Sequence, residues 1–251
     1  MNVQTRVGCL ALAVGLVNSM AGGLIVADND TTTDLTAFGF GVTPPVLTLQ
    51  QSTLEQGCVV PVENVTCSTV DGWSLFGPVT GEVSGAKKYS SPTLGELGIT
   101  SWADVGILFN VNEPNSTQEV TLQDLRLGLF NSDGTFAFEF ALNPASVDFT
   151  NISQGQGAAG FLITIAPDQQ TLFPFDASLI VGMAAEIGCA GTTCNVAGNF
   201  STASGAESFT VVSLLNPPQG EDPIPEPTTL LLMGGGLGAL GLLRSRRKVA
   251  N

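Results

Sequence analysis

The tightest constraint on this chain is a run of alternation between Leu125 and Leu142. Leu125, Leu127 and Leu129 recur at every second position, Asn131-Ser132-Asp133-Gly134 interrupts, and Phe136, Phe138 and Phe140 resume the period. A period of two belongs to a strand with one buried face; a helix would repeat its apolar positions every three and four residues. Asn-Ser-Asp-Gly is turn chemistry, and Gly134 is free to take the positive φ of a tight hairpin. The run predicts an antiparallel hairpin with a single aromatic and aliphatic face.

Similar signals recur on both sides of it. Val105, Ile107, Phe109 and Val111 predict a strand with one buried face. Val120 and Leu122 alternate in one phase and Leu125 onward in the other, so the phase changes at Gln123-Asp124, as at a β-bulge. Phe161, Ile163 and Ile165 predict another strand. Leu179 to Ile187 is apolar enough to be buried on both faces, and Ser208 to Leu215 predicts a last strand. Shorter strands are expected at Val46 to Leu49, Trp73 to Phe76 and Val79 to Val83. Asp168-Gln169-Gln170 predicts one or two helical turns, ended by Pro174. With 30 Gly and 14 Pro to make turns, these elements read as an all-β fold, an antiparallel β-sandwich over residues 22–218. Within it, residues 22–45 are Thr-rich, end at Pro44-Pro45 and read as an ordered or half-ordered, loosely held arm.

The flanks have a different character. Arg6, the apolar run Val7 to Val17, and Ser19-Met20-Ala21 follow the order of a secretory signal peptide, residues 1–21, cleaved after Ala21; a buried N-terminal helix is the other reading. At the other end, residues 219–227 form a linker rich in proline and acid. Residues 228–243 are sixteen uncharged residues that predict a single transmembrane helix. As a helix they reach about 24 Å, short for a hydrocarbon core of about 30 Å. Residues 244–251 form a basic tail, with Arg244, Arg246, Arg247 and Lys248 holding the end on the cytoplasmic side.

Charge and composition narrow the chemistry. All 22 acids lie between Asp28 and Glu226, a region with three bases, Lys87, Lys88 and Arg126. Such a surface repels phosphate backbones, which argues against nucleic acid as a partner. Histidine is absent, which removes His-dependent triads and dyads and the commonest transition-metal ligand.

The remaining candidates for chemistry are few. Glu113, Glu119, Glu139 and Glu186 are the carboxylates a two-acid glycosidase would draw on, although nothing in the spacing ties two of them together. Ser84 and Lys87 stand at the spacing of a serine acyl-transferase motif whose companion motifs are missing. Asp28, Asp30 and Asp34 near the start, and Asp133 in the hairpin turn, are hard-oxygen candidates for calcium, with no complete loop motif; otherwise no metal or cofactor is expected. Trp73, Tyr89 and Trp102 would have to share an exposed face to stack on sugars. In an exported chain, Cys58, Cys67, Cys189 and Cys194 favour local disulfides Cys58–Cys67 and Cys189–Cys194 among three connectivities, with zinc as the rival.

Pro225-Glu226-Pro227, the short span and the basic end occur in that order at the C-terminus. This tail resembles the PEP-CTERM sorting signal of exported bacterial proteins. The resemblance implies that an exosortase, a transpeptidase-like membrane enzyme, removes the span near Pro225-Glu226-Pro227. The inner membrane would then be a transient anchor, and the product would reach the cell surface or an extracellular polysaccharide matrix. The residue reading and the resemblance together give a non-enzymatic structural or adhesive protein associated with exopolysaccharide. A carbohydrate-binding module and a two-carboxylate hydrolase are the alternatives.

Overall fold

In the computed structural model the described residues are 23–28, 31–41, 43–50, 52–61, 83–85, 91–111, 119–150, 159–189, 200–203 and 205–218. They contain the strands β1 (Leu24–Val26), β2 (Thr33–Asp34), β3 (Leu47–Leu49), β4 (Ser52–Val59), β5 (Val83–Gly85), β6 (Val105–Asn110) and β7 (Val120–Phe130). These are followed by β8 (Phe136–Ala141), β9 (Val147–Phe149), β10 (Ala159–Ile165), β11 (Ile180–Gly188), β12 (Thr202–Ala203) and β13 (Glu207–Ser213). Short 3-10 turns occupy Leu35–Phe38 and Trp102–Asp104.

Two antiparallel sheets result. The first runs β1-β10-β6-β13-β3-β5 with β2 also on β10, and the second runs β12-β4-β11-β7-β8 with β9 also on β7. One apolar cluster draws on both, with Leu47, Ile107, Phe109, Ile163 and Val211 from the first and Leu125, Leu127, Val181, Met183 and Ile187 from the second. Phe109 stacks on Phe209 of its own sheet at 4.6 Å and meets Phe149 of the other edge-on at 5.2 Å. The arrangement is a β-sandwich-like, all-β fold, because each sheet has an apolar face that only the other sheet can cover.

The bulge forms where the phase changes. Glu186 pairs with Asp124 but Ile187 pairs with Leu122, so Gln123 is the extra residue and its side chain donates to Gly188 O at 3.0 Å. The hairpin turn also forms as expected, with Asn131 N donating to Thr135 O at 2.9 Å and Gly134 at φ 84°.

Three expectations need correction. The hairpin does not keep its phenylalanines on one face. Leu129 pairs with Phe138 but Phe130 pairs with Phe136, so Ala137 is skipped and Phe136 turns to the outer side. There it meets Phe130 edge-on at 5.7 Å, in a separate patch with Val60 and Ala184. β6 is buried on both faces rather than one, because Leu35 of the arm and Leu214 cover its outer side around Leu108 and Val212. Parts of the arm are therefore built into the fold. Its Asp34 caps the first 3-10 turn, and Leu35 is fully buried. Finally, residues 167–172 form successive turns without a helix, with Gln169 N on Ala166 O and Leu172 N on Gln169 O, both i to i−3 bonds.

β4 has no counterpart among the expected strands, since Glu55, Gln56 and Gly57 interrupt its apolar pattern. The expected strand at 73–76 and most of that at 79–83 lie outside the described residues, as do the expected signal peptide 1–21 and the expected span 228–243. Among the described residues, no helix is long and apolar enough to cross a membrane.

Candidate functional site

Pro225, Glu226 and Pro227, the basic residues Arg244 to Lys248 and the cleavage residue Ala21 lie outside the described residues. What the structure does define is the last described stretch before the motif, Ser213 to Pro218. β13 stops at Ser213, and the next residues are locked by one carboxylate, Asp104. Its Oδ1 accepts from Ser213 Oγ at 2.7 Å and from Leu215 N at 2.7 Å. Its Oδ2 accepts from Thr100 N at 3.0 Å and Thr100 Oγ1 at 3.3 Å, and its own carbonyl accepts from Leu214 N at 2.8 Å. Asp104 is fully buried. Burial alone would raise its pKa, but the bonds from Leu215, Ser213 and Thr100 outweigh it and hold the carboxyl below the usual value.

The locked segment then crosses the outer side of the first sheet. A Cβ on Gly106 would stand 2.5 Å from Leu214 Cδ2, so any side chain there would displace Leu214 from its seat on β6. Pro218 rests on Gly39, whose φ is +91° and whose Cβ would stand 2.6 Å from Pro218 Cδ. Leu215 between them is 67% exposed. Pro218 thus lies beside the arm.

The candidate carboxylates are not gathered. Glu139 and Glu186 both lie on the outer side of the second sheet, half-buried. Glu186 Oε2 accepts from Gln56 Nε2 at 2.6 Å, and Glu139 Oε1 lies 3.4 Å from Arg126 Nη1. Arg126 Nε also pairs with Asp124 at 2.8 Å, so a polar row crosses β4, β11, β7 and β8. Glu119 is exposed just before β7, and Glu113 lies outside the described residues. Ser84 is on β5, whereas Lys87 lies outside the described residues.

Asp34 Oδ1 accepts from Thr36 N at 2.9 Å and Thr36 Oγ1 at 2.6 Å, and Asp133 Oδ1 accepts from Thr135 N and Oγ1 at the same two distances. Both carboxyls are held below their usual pKa by those bonds, side chain first. Asp28 is exposed, and Asp30 lies outside the described residues. Among the described residues, no three His, Cys, Asp or Glu side chains come together as a metal site.

Trp102 is buried. Its Nε1 donates to Phe173 O at 2.9 Å, and its ring meets Phe138, Phe140 and Phe175 edge-on at 5.1 to 5.7 Å. It is not available to stack on a sugar, while Trp73 and Tyr89 lie outside the described residues. Cys58 is opposite Ala184, and Cys189 follows Gly188, so the two are five positions apart along paired strands. That is about 17 Å, well beyond the ~7 Å limit for a disulfide, and it removes the Cys58–Cys189 connectivity. Cys67 and Cys194 lie outside the described residues.

Three buried acids were not legible as candidates: Asp104, Glu55 and Glu207. Glu207 shares the parity of Phe209 and Val211, which places it on the inward face and was a usable signal. Asp104 had none, because its partners Ser213 and Leu215 are more than a hundred residues away.

The family model that matches is the PEP-CTERM protein-sorting motif, over residues 223–248. No curated protein and no solved structure matches the chain.

Proposed function

We propose, from the premise that a PEP-CTERM protein-sorting motif closes this chain, that the protein is an exported structural or adhesive component of the cell surface or its polysaccharide matrix. The motif implies sorting to the surface and processing by an exosortase, and it is the observation that carries the reading. The finer steps follow from the sequence. Residues 1–21 direct export, residues 228–243 hold the precursor in the inner membrane, and cleavage near Pro225-Glu226-Pro227 releases the body.

The body works without catalysis or a cofactor. Support for this comes from the way its polar groups are used: the carboxylates of Glu139 and Glu186 are engaged with Arg126 and Gln56 on an outer sheet face. The burial of Trp102 supports a structural role over sugar stacking. Cys58 and Cys189 stand too far apart along paired strands to bridge each other, which supports local pairing, Cys58 with Cys67 and Cys189 with Cys194, suited to an oxidising compartment.

Replacing Pro225-Glu226-Pro227 with three alanines tests the reading. Full-length precursor should accumulate in the membrane fraction and the surface form should disappear. Unchanged processing of that variant would refute it.

A further inference from the structure

We infer that the seam between β10 and the end of β8 is a strand-accepting site, filled in a lone molecule by its own β1 and, between crowded molecules, by β1 of a second copy. The inference goes beyond the sorting reading and does not depend on it.

β1 ties the two sheets together. Leu24, Ile25 and Val26 pair antiparallel with Ile165, Thr164 and Ile163 of β10 in the first sheet. Toward the second sheet, Gly23 N donates to Ala141 O at the end of β8, and Asn143 N donates to Leu24 O, both at 2.9 Å. Ala27 N on Leu162 O and Ala166 N on Gly23 O extend the contact in both directions. Leu24 is fully buried in the core that the sheets share. A Cβ on Gly23 would stand 2.9 Å from Phe140 Cδ1, so the slot fits the glycine of this strand's own sequence. An empty slot would take those partners from Ala141 O, Asn143 N, Leu162 O and Ala166 N and uncover Ile163 and Ile165. A molecule that lends its β1 must therefore receive another.

The connection to the rest of the fold gives β1 room to move. β2 pairs with the same strand further along, Thr33 opposite Gly160, whereas Val26 is opposite Ile163. The chain thus takes seven residues, Val26 to Thr33, to pass three positions of β10, Ile163 to Gly160. A straight run would use three, so the surplus adds about 14 Å of reach when extended. An exchanged strand makes the same contacts as the resident one, and only the lost independence of two molecules opposes the exchange. Concentration then decides between the two: a molecule keeps its own strand when dilute and takes a neighbour's in a dense layer. Giving to one neighbour and receiving from another builds a head-to-tail chain.

Cross-linking in the purified, exported protein tests this. Ile25 and Thr164 are directly opposite and half-buried, so each accepts a cysteine without opening the core. Ile25→Cys protein is mixed with Thr164→Cys protein, concentrated to about a millimolar and oxidised. Links from residue 25 of one molecule to residue 164 of another should exceed, at least tenfold, those in a mixture of Ile25→Cys with Thr48→Cys. Thr48 is on β3, three strands beyond β10 in the same sheet, and reports random collision. The double variant Ile25→Cys/Thr164→Cys, oxidised when dilute, should close its link within one chain and stay monomeric on concentration, where the native protein assembles. Linking no better than with Thr48, a double variant that does not close, or one that assembles as readily as the native protein overturns the inference. None of these readouts involves C-terminal processing, which the three-alanine variant tests separately.

Discussion

Asp104 accepts a hydrogen bond from Ser213 at 2.7 Å, joining points 109 residues apart in the chain within a site closed to solvent. The bond fastens the end of β13 to the turn before β6. Removing the carboxylate would leave Ser213 Oγ and the Leu215 and Thr100 amides without their acceptor. Asp104→Ala should cost about 3 kcal/mol, since bonds to a charged group contribute more than neutral ones. For a domain of this size that lowers Tm by about 10 °C in a thermal melt.

The same residue gives a pH signature. Its folded pKa is depressed, so its share of stability is fully present above the unfolded Asp value of about 3.9 and is lost as pH falls through the lower folded value. Denaturant titrations between pH 2 and 6 should show a shallower acid limb for Asp104→Asn than for the native protein. Identical limbs would show that the carboxyl is not charged in the fold.

Gln123 is the extra residue of a bulge, and the residues on either side already point inward in their own phases. Deleting Gln123 should keep every apolar side chain of β7 on its face and cost only about 1–2 kcal/mol, chiefly the bond to Gly188 O. Deleting Gly128 from the same strand turns the residues beyond it to the wrong face and should abolish cooperative unfolding. Circular dichroism melts of the two variants make the comparison.

These elements show what the sequence could and could not reveal. The bulge and the Gly134 turn were legible because each is written in neighbouring residues, as a change of phase and as turn chemistry. The skipped Ala137 was not, because Phe136, Phe138 and Phe140 alternate without a break and the slip is set only by pairing with Phe130. β6 showed alternation and yet is buried on both sides, because its second cover, Leu35 and Leu214, comes from distant parts of the chain. The sorting tail was fully legible, as three dissimilar elements in order. The Asp104 lock at its root was not, since a carboxylate's partners across a fold leave no local pattern.

Trp102 is the hub of an aromatic group with Phe138, Phe140 and Phe175. Trp102→Ala should cost about 3–5 kcal/mol by opening a cavity, and Trp102→Phe about 1–3, mainly by leaving Phe173 O without its donor. A structural role predicts that glycan retention by the Trp102→Phe protein equals that of the native one, measured on the same array. A selective loss of sugar binding at unchanged Tm would contradict it.

With Cys58–Cys189 pairing removed by register, a non-reducing peptide map of the mature protein should give Cys58–Cys67 and Cys189–Cys194. Each loop should contribute about 2–3 kcal/mol, lost on reduction. Crossed pairs, Cys58–Cys194 and Cys67–Cys189, would refute the local connectivity.

The most direct measurement is the intact mass of the protein recovered from the surface fraction. The expected surface form begins at Gly22 and ends near Pro227, lacking residues 228–251. A surface form that retains the span and Arg244, Arg246, Arg247 and Lys248 would contradict it.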